Sequence, residues 1–379
     1  MSPPILSSPP DARTSYIIDQ LEGERLTIPG SKGVFRILAS SKQTNGGIAV
    51  FQSGAVLSDA PGFHWHDEAH DVFLVTKGFL KLWNDDKCRI MGPGDFAYVP
   101  PKVIHNPELL GPHTETFGLV APGDWIDFFR YVGETYHGVI APESDDRNLA
   151  SLLIPKVMAA KDRFDVHFER DYYYTPPAVS DWLDSENQLP SSSSPSPYFL
   201  RANTGPRYLL GGLLSRPFIT THQTAGKFAI SSLETSNVYS PPSLSVLLSR
   251  KWMTFREVDH CFCVQEGTLL VKLREPRGLG DDDKEEEEEE EEWTPVREGQ
   301  TLVVSAGQAF ALKAGSRFVR VWSFTNGNGI EELVHTAGEP CKSFVLPDGL
   351  DTKKVDDIKF EAACKELGVL TESLAIRTE

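Results

Sequence analysis

The sequence predicts a mainly β protein with two β-barrel domains and a few flanking helices. Short β-rich runs alternate with Gly/Pro turns at spacings of about 8–12 residues, which is typical of sandwiches and barrels. These runs fall into two blocks whose turn residues recur in the same order, and a Ser/Pro-rich stretch separates the blocks. A chain of 379 residues is long enough for each block to bury a core of its own.

The first domain is assigned residues 1–175 and begins with a polar segment, residues 1–30, which we expect to wrap it. Two helices are expected at Trp125–Val132 and Leu149–Lys161, with Pro155 kinking or interrupting the second. Strands are predicted where β-branched and aromatic residues cluster, at Phe35–Leu38, Gly47–Phe51, Val72–Val75, Phe79–Trp83, Phe96–Val99 and Thr116–Val120.

The linker is assigned residues 176–205, because the serines and prolines at 186–198 cannot pack a core. The second domain, residues 206–345, repeats two turns of the first. Gln265–Gly267 matches Thr76–Gly78, and Arg297–Gln300 matches Gly92–Asp95. The tail, residues 346–379, is expected to hold an amphipathic helix at Val355–Leu370. Strands of the second domain are predicted at Phe262–Val264, Thr268–Leu273, Thr301–Val304, Ala309–Leu312 and Phe318–Trp322.

The net charge of -17 is concentrated in one segment. Residues 281–292 contain eleven acidic residues against Lys284, which predicts a polyacidic loop in a hairpin of the second domain. The chain has no basic patch for nucleic acid or an anionic membrane, and no apolar run of membrane-spanning length. Five scattered cysteines do not form a disulfide framework, and no signal peptide is evident, so we expect a cytoplasmic protein.

The stretch from Gly62 to His105 contains the residues with metal chemistry. His64 and His66 are two residues apart, so on an extended strand their side chains share a face. Asp71 follows, and His105 comes one hairpin later, after a Gly/Pro turn. Three imidazoles and one carboxylate at one point suit a single divalent transition metal ion. Glu68 and His70 are alternatives to Asp71, although the spacing to Gly78 favours Asp71.

The second block lacks this set of ligands. One imidazole among apolar side chains cannot hold a transition metal ion, so we expect a metal-free scaffold in which His260 is structural. Counting from Gly267 and Gly299 places four other residues at the positions of the first block's ligands: Met253, Phe255, His260 and Phe310.

The two motifs resemble those of the cupin superfamily, and one complete copy beside one silent copy resembles the fungal quercetin 2,3-dioxygenase family. Ser15–Glu24, Asp71–Trp83 and Pro122–Phe129 are similar to that family's N-terminal segment, barrel strand and post-barrel helix. The resemblance implies a bicupin of two jelly-roll barrels. The metal would be held by His64, His66, Asp71 and His105. The chain departs from the motifs in carrying Asp71 where Glu is commoner and Lys102 where Gly is usual.

The same resemblance implies a metal-dependent, ring-cleaving dioxygenase. Its partners would be O2 and a small aromatic substrate, either a flavonol or a related enolisable aromatic such as a polyketide. Asp71 would accept the enol proton as general base. The resemblance implies copper, whereas the ligand set also accepts iron, manganese, nickel or zinc. An aromatic slot for the substrate, with ordinary barrel core as the alternative for each residue, would be lined by Phe73, Phe96, Tyr98 and Phe117.

Two other functions stay open at this point. A cupin isomerase or cyclase would use the metal only as a Lewis acid and would consume no oxygen. A non-catalytic cupin would bind metal or ligand without turning anything over. The sequence also leaves open whether the protein is a homodimer.

Overall fold

The computed structural model describes residues 2–57, 61–142, 144–160, 163–169, 174–239, 251–274, 293–347 and 355–373. Within these residues strands predominate, which confirms the mainly β fold class. The polyacidic loop, residues 281–292, lies outside the described residues, so its placement in a hairpin stays a prediction. No helix in the described part of the chain is both long enough and apolar enough to cross a membrane.

The first domain is built on one large, mostly antiparallel sheet with the order β11-β3-β4-β5-β10-β7-β9-β13. Strand β8 adds to β7, and the short strand β6 joins β10 to β12. The strands are β3 (Glu24–Thr27), β4 (Gly33–Ala39), β5 (Ala49–Ala55), β6 (His64–Trp65), β7 (His70–Asn84), β8 (Lys87–Met91), β9 (Phe96–Val99), β10 (His105–Ala121), β11 (Glu134–Thr135), β12 (His167–Phe168) and β13 (Tyr198–Leu200).

The second domain contains two sheets, ordered β1-β2-β21-β18-β23-β16-β15-β14-β24 and β20-β19-β22-β17-β25. Their facing sides bury a large aliphatic and aromatic core. The strands are β1 (Ile5–Leu6), β2 (Tyr16–Ile18), β14 (Tyr208–Leu210), β15 (Leu213–Ile219), β16 (Ala229–Thr235), β17 (Lys251–Phe255), β18 (His260–Glu266), β19 (Thr268–Arg274), β20 (Thr294–Arg297), β21 (Thr301–Val304), β22 (Ala309–Ala314), β23 (Val319–Thr325), β24 (Glu339–Pro340) and β25 (Val369–Ser373).

The helices lie at the ends of the sheets. The α-helices are α1 (Asp127–Val132), α2 (Leu149–Ala160), α3 (Ile330–Ala337) and α4 (Asp357–Leu367), and short 3-10 helices span Gly123–Ile126, Asp184–Asn187 and Asn237–Tyr239. Helix α2 continues through Pro155, which was expected to kink or interrupt it. The proline leaves the Ser151 carbonyl without its helical donor, and Ser151 is exposed, so water can take that place.

Two predicted strands of the first domain form one continuous strand in the structure. Val72–Val75 and Phe79–Trp83 both lie in β7, which pairs with β10 along most of its length. Gly78 lies between them with φ 68°, and a Cβ atom there would collide with the backbone oxygen of His113. Glycine therefore fits the point where β7 continues while the register with β10 shifts between Leu110 and Glu115.

Each domain contributes strands to the other domain's sheet. Strand β2, from the segment expected to wrap the first domain, pairs with β21 of the second domain. Strand β13, from the expected linker, pairs with β9 of the first domain. Strand pairing therefore crosses the limits of residues 1–175 and 176–205, which stay a prediction as domain boundaries. The apolar cluster between the domains contains side chains from both of them.

A turn that occurs in both domains supports the internal duplication. Residues 40–50 (SSKQTNGGIAV) and 220–230 (TTHQTAGKFAI) align without gaps. In each turn the backbone N–H of the first residue donates to the glutamine side chain three residues later, at 2.9 Å for Gln43 and 3.0 Å for Gln223. These two turns are more alike than the turns at Thr76–Gly78 and Gln265–Gly267.

Candidate metal centre

The candidate ligands lie where three strands of the first domain begin. His64 opens β6, Asp71 is the second residue of β7, and His105 opens β10. His105 is directly opposite His64 in the β6–β10 pairing. His66 follows the end of β6. Lys102, at the position where the cupin motif usually has glycine, adopts φ 67°, so it keeps the turn before His105 at the cost of some backbone strain.

The structure brings these four side chains into one buried group. One potential ligand atom from each of His64, His66, Asp71 and His105 lies within 4.8 Å of all the others. The Asp71 carboxylate oxygen Oδ2 is 2.9 Å from Nε2 of His105 and 3.2 Å from Nε2 of His66. All four residues are buried.

Each imidazole is oriented by a backbone carbonyl on its other nitrogen. Nδ1 lies 2.8 Å from the Gly62 oxygen in His64, and 3.0 Å from the Val103 oxygen in His105. In His66 the same nitrogen lies 2.5 Å from the Asp165 oxygen. Donation from Nδ1–H to a carbonyl leaves Nε2 as the nitrogen that can bind a metal. The donor set therefore fits a divalent metal ion in both chemistry and orientation.

The electrostatics of the group favour an ionised carboxylate. Burial alone would raise the pKa of Asp71, but the charge of His66 and the hydrogen bonds from His105 and His66 hold that pKa well below its usual range. Burial and the neighbouring His105 and His66 lower the pKa of His64 well below its ordinary value, so it is neutral. Burial opposes the charged form of His66, but Asp71 and the Asp165 carbonyl raise its pKa, so a metal ion, which binds neutral imidazoles and an ionised carboxylate, would displace that proton.

The two alternatives to Asp71 lie elsewhere. The Glu68 side chain is exposed. His70 is buried, and its Nδ1 lies 2.7 Å from the Tyr98 hydroxyl, on the side of the sheet that faces the second domain. Burial, reinforced by the charge of Lys227, lowers the pKa of His70 to about 4.

An apolar cavity of about 540 Å³ opens at the ligand group, and both His64 and Asp71 contribute to its wall. Of the residues expected to line an aromatic slot, Phe73 does so. The rest of the aromatic wall comes from strands β4, β5 and β12 and from the segment that follows β10. Its residues are Phe35, Phe51, Trp125, Phe128, Phe129 and Phe168. Helix α2 covers one side with Leu153, Ile154, Val157 and Met158.

The other three residues expected in the slot lie in the core between the domains. Phe96 stacks on Phe218 at 5.5 Å between ring centroids, and Phe117 packs edge-on against Trp322 at 5.5 Å. The Tyr98 hydroxyl is bonded to His70. The register explains the difference, because Phe96 and Phe117 both lie opposite Leu74, whereas Asp71 and Phe73 project from the other face of β7. These three therefore lie in packed core, but between the two domains and away from the cavity.

The second domain repeats the positions of the site without its ligands. Met253 lies opposite Phe310, as His64 lies opposite His105. His260 lies opposite Val304, as Asp71 lies opposite Val99. Burial lowers the pKa of His260 to about 3, and its Nε2 accepts a hydrogen bond of 3.1 Å from the backbone N–H of Ile330. Among the described residues, the groupings that could hold a metal both belong to the first domain.

One part of the site carried no signal in the sequence analysis. Residues 163–169 follow α2 and run beside β6, where His167 and Phe168 pair with Trp65 and His64. Nothing in their composition marks them, and only the fold brings them to the ligand-bearing strand.

The comparisons with known proteins agree with this architecture. The cupin domain family matches residues 50–115. A quercetin 2,3-dioxygenase of Aspergillus japonicus is 24% identical over 367 residues, which cover 90% of this chain and 98% of that protein. A quercetin 2,3-dioxygenase of Bacillus subtilis (strain 168) is 32% identical over 137 residues, which cover 36% of this chain and 40% of that protein.

Among solved structures, a putative glyoxylate induced protein from Pseudomonas aeruginosa is similar with a TM-score of 0.49 at 12% identity, over 84% of this chain and 90% of that chain. The duplicated β fold, the cupin domain matched at residues 50–115 and the similarity of nearly the whole chain to a quercetin 2,3-dioxygenase together support a quercetinase-like bicupin.

Proposed function

We propose that the protein is a metal-dependent dioxygenase that cleaves a ring of a flavonol or a related enolisable aromatic with O2. The observation that carries this proposal is the opening of the ligand group into an apolar cavity with aromatic walls, to which Asp71 and His64 both contribute. The two curated relatives, both named quercetin 2,3-dioxygenase, support the reaction class.

One divalent transition metal ion would be held by His64, His66, His105 and Asp71. Such an ion, when bound, favours the enolate form of the substrate and its reaction with O2. Copper follows from the resemblance to the fungal family, and iron, manganese, nickel and zinc remain compatible with the ligands. The buried carbonyls beyond the imidazoles hold each ring in one orientation, so little rearrangement is needed on binding.

Asp71 would take the enol proton of the substrate. Its carboxylate is ionised, lies beside the ligand nitrogens and contributes to the cavity wall, which are the requirements for a general base. As an acid one methylene shorter than glutamate, Asp71 stays close to the histidines and reaches less far into the cavity.

The cavity wall restricts the charge of the substrate. Among the described residues that line it, Asp71 is the one acidic residue, and lysine and arginine are missing. A carboxylate, sulfate or phosphate in addition to the group bound at the metal would therefore lose its hydration without gaining a partner from the wall. The aromatic walls favour a flat, neutral molecule whose one acidic group is the enol.

The proposal is tested with protein of measured metal content and a panel of flavonols, each paired with the flavone that lacks the 3-hydroxyl group. We expect anaerobic binding of the flavonol and, on admission of air, oxygen uptake in step with substrate loss and release of carbon monoxide. The flavones and the His105→Ala variant should give none of this above the uncatalysed rate.

Two outcomes would replace the proposal. Conversion of a substrate without oxygen uptake would favour the isomerase or cyclase. Binding without any turnover across the panel, in fully metal-loaded protein, would favour a non-catalytic cupin.

A further inference from the structure

Residues 163–169, here called the outer segment, form a second layer behind the candidate metal ligands. Besides the pairing of β12 with β6, the backbone N–H of Glu169 donates to the Phe63 oxygen at 2.8 Å. The His167 ring stacks on Trp65 at 4.2 Å between centroids, and its Nε2 lies 2.9 Å from the Asp67 carboxylate. The outer segment is therefore held against the whole stretch from Phe63 to Asp67.

Within the outer segment, the Asp165 carboxylate binds the loop that connects His66 to Asp71. Oδ1 accepts a hydrogen bond of 2.6 Å from the backbone N–H of Asp67. Oδ2 accepts bonds of 2.8 Å from Glu68 and 2.9 Å from Ala69. Three successive amides of the loop thus converge on one carboxylate, which is the strong, charge-assisted form of such bonds.

The backbone of the same residue holds a ligand. The Asp165 carbonyl oxygen faces Nδ1 of His66 at 2.5 Å and accepts a hydrogen bond of 2.8 Å from Nε1 of Trp125. Trp125 lines the cavity and packs edge-on against His66 at 4.9 Å between centroids. One residue therefore fixes both the ring of His66 and the path of the loop between His66 and Asp71.

The loop has two further contacts, the burial of Ala69 in a core cluster and the pairing of the Asp67 carboxylate with His167, but its three successive backbone amides are bound by Asp165. The side chains of Asp67 and Glu68 are exposed, so their packing cannot set the loop's path. Without an acceptor, the three amides would form hydrogen bonds with water instead, and the loop could adopt other conformations. The separation between His66 and Asp71, now 3.2 Å from Nε2 to Oδ2, would then vary.

We propose that Asp165 is a positioning residue for the metal site, which sets the orientation of His66 and its separation from Asp71. This inference rests on the metal site of the proposed function. It places a determinant of metal affinity on a segment that lies outside the matched cupin domain, residues 50–115, and follows the helix that covers the cavity. Loss of such an outer contact typically weakens metal binding by about 10–100-fold.

The test compares Asp165→Asn with Asp95→Asn in the full-length protein freed of metal. The substitution at position 165 keeps the size of the side chain but turns one acceptor oxygen into a donor, while the backbone carbonyl remains. Asp95 is the matched control, because its carboxylate also accepts two backbone amides of this barrel region, Gly92 and Ala202, each at 2.8 Å. Co²⁺ is titrated against a competing chelator, and the visible spectrum of the bound ion is recorded.

We expect Asp165→Asn to bind Co²⁺ about 10–100-fold more weakly, with an altered spectrum. Asp95→Asn should keep the affinity within about 2-fold and the wild-type spectrum, since its carboxylate touches no ligand loop. Wild-type affinity and spectrum in folded Asp165→Asn would overturn the proposal. So would an equal loss in both variants, which would indicate a general effect of stability.

Amide hydrogen exchange of the wild-type protein gives a test that needs no variant to fold. The amides of Asp67, Glu68 and Ala69 should be protected in the metal-free protein, although two of the side chains are exposed, and rapid exchange of all three would also overturn the proposal. The proposed function is tested separately by comparing the wild type with His105→Ala. It fails if the wild type binds no Co²⁺, or if His105→Ala still binds the ion.

Discussion

Asp71 contacts two of the three candidate histidine ligands through one oxygen, Oδ2, and contributes to the cavity wall. It can therefore serve as a ligand, as a base or as both. The sequence favoured Asp71 over Glu68 and His70 on spacing alone, and the structure places only Asp71 in the group of histidines. Spacing was sufficient because all four residues lie at or near the starts of strands, where the backbone path is short and regular.

Replacement of Asp71 should separate the two roles. Asp71→Asn keeps the size and one oxygen but cannot accept the enol proton, while three histidines still hold the ion. Metal content should fall modestly, and turnover of the substrate should fall by the ~10²–10⁴-fold expected for loss of a general base. Metal analysis and oxygen uptake on the same preparation measure both.

Glu68→Gln is the matched control for Asp71→Asn, because it removes a nearby exposed carboxylate outside the ligand group. It should leave metal content and turnover unchanged. Wild-type turnover in Asp71→Asn, with loss in Glu68→Gln, would show that the base has been assigned to the wrong acid.

Glu331 is a buried carboxyl group in the second domain, far from the reaction chemistry. It lies in the first turn of α3 and accepts hydrogen bonds from the hydroxyls of Ser323, at 3.1 Å, and Thr325. Burial raises its pKa to about 8. The group is therefore protonated in the folded protein at neutral pH and ionised in the unfolded chain.

The sign of the pH dependence follows from this difference. A carboxyl group whose folded pKa is raised contributes stability that is present below its unfolded pKa and is lost as pH rises through about 8. Between the unfolded and the folded pKa, each pH unit lowers the free energy of unfolding by about 1.4 kcal/mol. Urea unfolding at several pH values between 5 and 8.5 should show wild-type stability falling with pH, and falling less in Glu331→Gln.

The control for Glu331 is Glu339→Gln, since Glu339 is exposed and pairs with Lys359 on the surface. That variant should keep the wild-type slope. Equal slopes in Glu331→Gln and wild type would mean that another group dominates the titration.

At the scale of single elements, period and turn chemistry predicted ten of the 25 strands in the described part of the chain. Phe96–Val99 and Thr301–Val304 were predicted with the observed ends, because each is a short β-branched or aromatic run between turn residues. The face of the sheet to which each side chain points was harder to predict. Thr116, Gly118 and Val120 line the cavity, whereas Phe117 turns to the other face.

The face on which Phe117 lies could not be predicted by counting alternate residues along β10 from His105. The β7–β10 pairing shifts register between Leu110 and Thr116, so the alternation from His105 does not carry through to Phe117. The strand β25 was missed for a related reason. It follows α4 after only Gly368, which has φ 68° and ends the helix in the left-handed conformation, whereas the predicted helix, Val355–Leu370, continued into the first two residues of the strand.

The polyacidic loop, residues 281–292, is expected to be dispensable. Adjacent glutamates repel one another and offer no apolar surface to bury, so its removal should not cost packing. Replacing these residues with Gly-Asn-Gly should leave turnover within a few-fold and shift the melting temperature little. A replacement by alternating Gly-Ser of the same length is the control for chain length.

A large loss of activity or stability in both replacements would contradict the prediction and would indicate a contact made by the acidic side chains. A loss in the shortened loop alone would instead indicate that its length is needed to connect the flanking strands.

At the scale of the whole molecule, the two copies of the fold differ in chemistry and share a core. The second copy retains the pairing of the ligand positions but carries Met253, Phe310 and a neutral His260 there. The aromatic and aliphatic side chains between the copies are nearly all buried, which contributes roughly 1.5–3 kcal/mol for each large one. The second copy therefore supports the first by packing.

We expect one equivalent of transition metal per chain, bound in the first domain. Elemental analysis of protein purified without added metal should give a value near one, and His64→Ala should abolish it. His260→Ala is the control and should leave the metal content unchanged, because the second domain offers that ion no further ligand within the described residues. Two equivalents, or metal retained in His64→Ala, would contradict the assignment.

The exchange of strands β2 and β13 limits how this gene could be divided. A chain that stopped before residue 198 would carry β2 with no partner strand and would leave the edge of β9 bare, open to pairing with another molecule. Replacing ligands in one copy would change only its own site, whereas deleting that copy together with β13 would remove a strand from the sheet of its neighbour. A silent domain can thus persist in a lineage because it is topologically inseparable from the active one.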